Sequence, residues 1–505
     1  MGLVPMHGGL ERASGDLGER VAVRSSERSW TFAELNGQAD ALARHLASAG
    51  VVPGSRVAVL MANRAEFVVA VHAVSKLGAA AVLVSPAWRS AEVGSALGLT
   101  APVHGVGDHD GTPLLAQHLG RGRVTDVDEP AVARILAERA APLGRDVPGR
   151  ADAVLVFSSG TTGLPKAVRH THDSIGHATA HWVAALGLGP DDRLQIATPP
   201  SHILGLLNLL AAAEAGACVR LHRRFDLDEV LRSIERDRIT LEMAVAPIAL
   251  AMANHPALEE FDLTSLRYIM WGATPVTAHV AEVVTERTGV RWLPAYGASE
   301  VPVIACNPVD RPDRWRLDSA GLAPAGVELR VVDIDSGAVL EPGGVGEIQV
   351  RSPSRMAGYL PEADSADALV DGWYRTGDVG YLEAGGWVHL TDRLKEMIKV
   401  NGFQVAPAEI EAVLLSHPAV VDCAVFGIAD RRAGEVPVAA VQLDGAVPVA
   451  GGELERLVAD TLATYKRLRH LVVVDAIPRL PSGKVLRRTL HDQWAPSLTG
   501  AAAGG

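Results

Sequence analysis

The sequence predicts an α/β protein. Its expected parts are a large N-terminal domain of parallel-type sheets, a β-rich subdomain and a small α+β domain at the C-terminus. Three observations carry this. Strand-length apolar runs alternate with helix-period stretches through about the first 300 residues. Glycine and proline thicken after Arg316 (GLAPAG, EPGGVGE), with short alternating segments between them. A fresh helix–strand series then begins near Ile398.

The elements follow in order. Ala39, Leu42, Ala43 and Leu46 share one helical face, ended by Gly50 with Pro53 just beyond. Residues 57–61 read as a buried strand, 64–77 as a helix behind Asn63 as its N-cap, and 79–84 as another strand. The same apolar texture returns at 154–157, 239–246, 266–271 and 290–293, with helical stretches between, which is the pattern of parallel strands covered on both faces. Residues 327–332 and 347–350 read as antiparallel strands. The last unit reads as a helix over 407–415, strands near 420–425 and 436–441, a helix over 453–465 and a strand near 471–474. These patterns divide the chain into a large domain (1–392), a small domain (393–493) and a tail (494–505) expected to be disordered. No internal repeat is visible.

Composition removes several function classes. The 505-residue chain is 48% hydrophobic and 21% charged, enough apolar material for a core and too much for wholesale disorder. Lys+Arg 47 against Asp+Glu 59 gives a net charge of −12 without a basic tract, so a nucleic-acid partner is not expected. Cys218, Cys306 and Cys423 are isolated, with no metal-ligand spacing and no disulfide framework, as suits a reducing cytoplasm. The apolar stretch 203–213 is too short to span a bilayer and is followed by Glu214. The first residues lack a basic, then apolar, leader, and Met6 stands where a myristoylation signal needs Ser or Thr. A cytoplasmic protein without membrane attachment is expected.

The densest motif follows the strand at 154–157: Ser158, Ser159, Gly160, Thr161, Thr162, Gly163, Leu164, Pro165, Lys166. Small residues let backbone N–H groups approach phosphate oxygens, hydroxyls donate further bonds, and Lys166 adds charge. The expected setting is a loop between a strand and a helix. It is not a Walker A loop, because Pro165 precedes the lysine and Ala167 follows it. Four further segments accompany it: Tyr296-Gly297-Ala298-Ser299-Glu300, Arg375-Thr376-Gly377-Asp378, the run 391–399 (TDRLKEMIK), and Pro481-Ser482-Gly483-Lys484. Singly, each reads as ordinary surface chemistry; their joint order along one chain does not.

In that order the sequence resembles the adenylate-forming superfamily of acyl-CoA synthetases, peptide-synthetase adenylation domains and luciferases. The stretch 391–430 is most similar to 4-coumarate–CoA ligases, and the likeness runs from about Trp30 to Leu490. The resemblance implies a two-step reaction with ATP, Mg²⁺ and coenzyme A acting on a small carboxylic acid. It assigns Ser158, Ser159, Gly160, Thr161, Thr162, Gly163 and Lys166 to the β- and γ-phosphates. Glu300 would hold Mg²⁺ and Ser299 would lie near the α-phosphate. Asp378 and Arg393 would take the ribose, and Tyr296 the adenine, with Gly272, Ala273, Ala295 and Gly297 around it. Lys484 would bridge carboxylate and α-phosphate, and His202 in PPSHILGL would mark the acyl pocket mouth. Lys395 falls at the family's hinge, about which a mobile small domain would bring Lys399, Gly402 and Gln404 to the adenylate.

Several positions depart from the family pattern: Pro294 and Ala295 before Tyr296, Trp271 before Gly272, Ser299 for Thr, Ala167 for Gly, Asn401 for Lys or Gly, and Leu204 for a tyrosine. Pro294, Ala295, Trp271 and Leu204 are expected where nucleotide and acyl group meet. They favour an apolar or bulky acid over a hydroxycinnamate, with Asn208 and Ser201 as polar contacts; the alternative account is a weak adenylation step. Three functions compete: an acid–CoA ligase; the same fold specialised to one half-reaction or loading a carrier protein; and a binding protein without catalysis. Retention of Lys166, Glu300, Asp378, Arg393, Lys399 and Lys484 counts against the last.

Overall fold

Four sheets organise the chain in the computed structural model, which describes residues 5–138, 140–158, 166–272, 278–401, 403–430, 432–445, 447–479 and 483–500, with side chains to 498. The fold is α/β, with large N-terminal sheets, a β-rich middle and a small C-terminal α+β unit.

The first large sheet has eight strands. Five of its neighbouring pairings, from Trp292–Tyr296 through Tyr268–Trp271, Leu241–Ala244, Arg193–Ile196 and Cys218–Leu221 to Val21–Arg24, are parallel. The second has seven, with a parallel run through Asp152–Ser158, Ala80–Leu83, Arg56–Leu60, His104–Gly107 and Val124–Asp126. Parallel strands covered on both faces need apolar residues at consecutive positions, and Ala80–Leu83 and Tyr268–Trp271 are buried throughout. One continuous core lies between the two sheets, filled by the helices Phe32–Ser48, Ala65–Lys76, His172–Leu186 and Ile203–Ala215. The helix Ala65–Lys76 is buried at every position but Glu66, as a helix between two sheets must be. Separate cores cover the outer faces.

The antiparallel middle sheet joins Glu328–Val332, Gly346–Arg351, Trp373–Leu382 and Leu369–Val370, with Val388–Arg393 paired to the long strand. The last sheet orders Phe403–Val405, Ile398–Val400, Gly434–Leu443 and Val420–Asp430, and His470–Val473 joins it in parallel. Among the described residues no helix is long and apolar enough to cross a membrane.

Local expectations are corrected in four places. Lys166 opens a strand, Lys166–Thr171, that pairs antiparallel with Asp152–Ser158, so the phosphate-type loop joins two strands of a hairpin. The N-cap of Ala65–Lys76 is Arg64; the Asn63 amide instead donates to the Thr198 carbonyl at 2.9 Å. The helix at 453 stops at Thr461. Residues 494–500, expected to be disordered, continue the helix Arg487–Gly500, and Ala495 is buried beside Ile477 and Leu490.

Candidate active site

Strand ends and hairpins bring four charged or hydroxylated groups to one point. The Tyr296 hydroxyl, at the end of Trp292–Tyr296, donates to Asp378 Oδ2 at 2.5 Å. Asp378 faces Arg393 in the hairpin register, and Arg393 Nε lies 3.0 Å from Oδ1. Gly377, at φ 68°, takes the turn that precedes the carboxylate, and Thr376 Oγ1 accepts the Asp378 N–H at 3.0 Å. Burial raises the Asp378 pKa, while Arg393, the Tyr296 hydroxyl and Lys484 oppose the rise. Burial, then the Asp378 charge, holds the Tyr296 phenol protonated well above its usual range. Lys484 reaches the same point from the C-terminal unit. Its pKa is lowered by burial and by Arg393, with Glu396 and Asp378 pulling the other way.

A second cluster adjoins the first. Glu300 is 8% exposed, and its Oε1 accepts from the Tyr359 hydroxyl at 2.8 Å. Its other oxygen has no hydrogen-bond partner among the described residues. His170, on the strand that Lys166 opens, donates from Nε2 to the Ser299 carbonyl at 2.8 Å. Burial lowers the His170 pKa to about 4, so the ring is neutral and acts as a brace. A Cβ on Gly297 would stand 2.1 Å from the Pro302 carbonyl oxygen, so only glycine fits the turn between Tyr296 and Ser299. Lys166 Nζ lies 3.2 Å from Asp364 Oδ2 and 5.3 Å above the Tyr359 ring. Ser158 ends the partner strand directly opposite Lys166.

The acyl-side expectations fare differently. His202 caps the helix Ile203–Ala215, its ring nitrogen accepting the Leu204 N–H at 3.4 Å, and burial lowers its pKa. Asn208 is buried on that helix, its oxygen taken by the Trp182 indole at 2.7 Å. The Trp271 indole, expected at the junction of nucleotide and acyl group, is 1% exposed. It packs on Trp292, ring centroids 5.1 Å apart, inside the core on the outer face of the first sheet. Its neighbour Met270 faces the inner core and lies 3.2 Å from where a Cβ on Gly272 would be. Ala295 is half-buried against the same inner core.

The small unit presents two faces. Gly483, at φ 85°, abuts the large unit, where a Cβ would meet Pro247 Cδ at 2.7 Å. Lys399, Phe403 and Gln404 are exposed on short strands away from Lys484, with Phe403 stacked on Tyr465 at 4.6 Å. Lys395 is exposed in the turn between the two units. Asp392, part of the run 391–399 but given no role by the sequence, anchors this passage. Its carboxylate accepts the Arg393 N–H at 2.7 Å and the Ala408 N–H at 2.9 Å, and burial raises its pKa to about 6. Ser159, Gly160, Thr161, Thr162, Gly163, Ala273 and Gly402 lie outside the described residues.

A cleft of about 660 Å³ opens where the strands of both large sheets end, lined by Asn63, Arg223, Arg224, Phe225, Pro247 and Arg479. Ligands of open α/β sheets bind at such carboxyl ends. A smaller hollow near Arg56, Asp152 and Arg169 sits at the opposite strand ends. No group of three or more metal-ligating side chains occurs among the described residues.

Fold and site together define an adenylate-forming class of enzyme. The chain belongs to the AMP-binding enzyme family, as an acyl-CoA synthetase-like member: the family profile matches residues 10–360 and the profile of its C-terminal domain residues 409–484. It is 36% identical over 488 residues to 4-coumarate–CoA ligase 5 of Oryza sativa subsp. japonica, covering 92% of this chain and 90% of that protein. Among solved structures it is similar to o-succinylbenzoate CoA synthetase from Bacillus subtilis in complex with its acyl-adenylate intermediate. That likeness has a TM-score of 0.85 at 32% identity and covers 96% of this chain and 98% of the other. An amide bond synthetase from Marinactinospora thermotolerans matches with TM-score 0.87 at 32% identity, over 97% and 100% of the two chains.

Proposed function

We propose that the protein is an ATP-dependent acid–CoA ligase acting on an apolar or bulky carboxylic acid. The observation that carries this is Asp378, buried and flanked by Tyr296, Arg393 and Lys484, each from a different segment. A buried carboxylate of this kind accepts ribose hydroxyls, and a lysine beside it faces the adjoining α-phosphate. In the first step the substrate carboxylate oxygen attacks the α-phosphorus, the bond to the β-phosphate oxygen breaks, and pyrophosphate leaves. Lys484 stabilises the charge that gathers on the α-phosphate, and Lys166 that on the departing phosphates. In the second step the coenzyme A thiol, losing its proton, attacks the acyl carbon, and AMP departs with the bonding pair.

The second oxygen of Glu300, without a hydrogen-bond partner among the described residues, suits a divalent cation held mostly by substrate phosphates, as Mg²⁺ is; the ion would supply charge neutralisation when bound. The buried indole of Trp271 takes one of three residues out of the case for a weak adenylation step, since its bulk lies in the outer core; Pro294 and Ala295 remain in it. Domain limits near residue 392, a hinge at Lys395 and a cytoplasmic location belong to the same reading. A second reading, in which the acyl-adenylate passes to an acceptor other than coenzyme A, finds support in the likeness to the amide bond synthetase. Product analysis by mass spectrometry with ATP, coenzyme A and a panel of carboxylic acids decides between them. Acyl-CoA with AMP supports the first reading. Acyl-adenylate that never reaches coenzyme A rejects it.

A further inference from the structure

We propose that Asp364 is a resident stand-in for the β- and γ-phosphates, a carboxylate that occupies Lys166 until nucleotide displaces it. The inference rests on the reading of Lys166 as the phosphate lysine. Lys166 Nζ is 3.2 Å from Asp364 Oδ2 and lies over the Tyr359 ring at 5.3 Å. The same phenol donates to Glu300 at 2.8 Å. The groups assigned to the polyphosphate and to its cation are thus joined through one side chain.

Asp364 is held in place independently of the lysine. The strand Gly358–Leu360 pairs with Lys166–Thr171, placing Tyr359 opposite Val168 and Gly358 opposite Arg169. Ser365 Oγ accepts the Tyr359 N–H at 2.8 Å, and Arg169 reaches Glu362 at 3.4 Å. The turn carrying Asp364 is therefore fastened on both sides to the strand that carries Lys166. Rotation of one aspartate side chain frees the ammonium without moving that turn. Asp364 makes no capping bond to the short helix Ser365–Ala368, so neutralising it leaves the local fold intact.

The consequence is selective. ATP and pyrophosphate must displace the carboxylate, whereas AMP has no group that reaches Lys166. Once pyrophosphate leaves, Asp364 closes on Lys166 again and opposes its return, as it also opposes the entry of ATP. The pair is partly solvated, at 29% and 33% side-chain exposure, so the effect is modest and salt-sensitive.

The test is calorimetric titration of the full-length protein and its Asp364→Asn and Asp364→Glu variants with MgATP, pyrophosphate and AMP. Asp364→Asn is expected to tighten MgATP and pyrophosphate by about two- to fivefold at low salt. The gain shrinks at high salt, AMP binding stays unchanged, and Asp364→Glu behaves as wild type. Introducing Asp364→Asn into Lys166→Ala is expected to change nothing. Weaker or unchanged MgATP binding in Asp364→Asn overturns the proposal, the first by making Asp364 a positioning group for Lys166. Equal tightening of AMP overturns it as well. Failure of the underlying reading is distinct: it appears as wild-type protein whose MgATP affinity is absent or indifferent to Lys166→Ala.

Discussion

The two faces of the small C-terminal unit differ in what they touch. One carries Arg479, Gly483 and Lys484 and is docked, with Gly483 against Pro247 and Lys484 among the charges around Asp378. The other carries Lys399, Phe403 and Gln404 and is turned to solvent, its most conspicuous feature an exposed Phe403 stacked on Tyr465. Only one face is docked; on the two-step reading proposed above, one site would serve two chemistries in turn. On the same reading, the docked arrangement is the one that would activate an acid. Charge alone does not explain the docking: burial and Arg393 lower the Lys484 pKa against Glu396 and Asp378, while Lys399 contributes its backbone N–H to Glu435 at 2.7 Å within its own unit.

Removing the docked cation is the most severe way to break the comparison. Lys484→Ala is expected to lower adenylation, followed by pyrophosphate exchange, by about 10²–10³-fold, as loss of one charge-stabilising donor does. Thioester formation from supplied acyl-adenylate should survive. Equal damage to both steps would show that the docked face is not dedicated to the first. Next in size is the passage between the faces. Lys395→Pro fixes φ and costs up to about 3 kcal/mol where the backbone must turn, so transfer should fall tenfold to a hundredfold on the order of magnitude. Pyrophosphate exchange should hold, and an undiminished full reaction places the hinge elsewhere.

A subtler substitution sharpens the same contrast. Alanine at 483 must adopt a left-handed backbone and meet Pro247, where its Cβ would be 2.7 Å from Cδ. With about 1–2 kcal/mol for the backbone alone, Gly483→Ala should shift the unit away from docking and reduce adenylation roughly tenfold. Transfer from supplied adenylate should be spared or improved. Parallel losses in both reactions would mean that the variant disturbs the small unit itself.

The sequence makes the layered fold legible because strands buried on both faces read as unbroken apolar runs, as at Arg56–Leu60 and Ala80–Leu83. The same property hides which face a residue serves. Tyr268, Ile269, Met270 and Trp271 are all buried, so no alternation reveals that Met270 points inward and Trp271 outward. The hairpin at Lys166 had a signal, polar and half-buried Lys166, Arg169 and Thr171 interleaved with buried Ala167, Val168 and His170, weaker than the expectation of a helix after a glycine-rich loop. Tyr359 and Asp364 had none. Tyr359 meets a glutamate 59 residues away, and nothing in the local pattern marks either residue. The nucleotide-side groups were readable because glycine turns precede Asp378 and Lys484, whereas His170 braces backbone, which leaves no motif, and Asp392 does so inside the run 391–399 without a mark of that role.

The smallest expected effect concerns pH. Burial and Arg393 lower the Lys484 pKa from its ordinary 10.5 in the docked arrangement. The lysine must be protonated to stabilise the α-phosphate, so adenylation should decline on the alkaline side below the ordinary lysine range. Bound phosphates favour the charged form and push the pKa back up. The limb therefore belongs to kcat/KM for ATP, which reports free enzyme, and should be muted in kcat. Thioester formation from supplied acyl-adenylate uses the other face and should lack this limb. Measuring pyrophosphate exchange and transfer across pH 7 to 10.5 separates the two. If transfer shows the same limb as adenylation, Lys484 is serving both steps, and the division of labour between the faces fails.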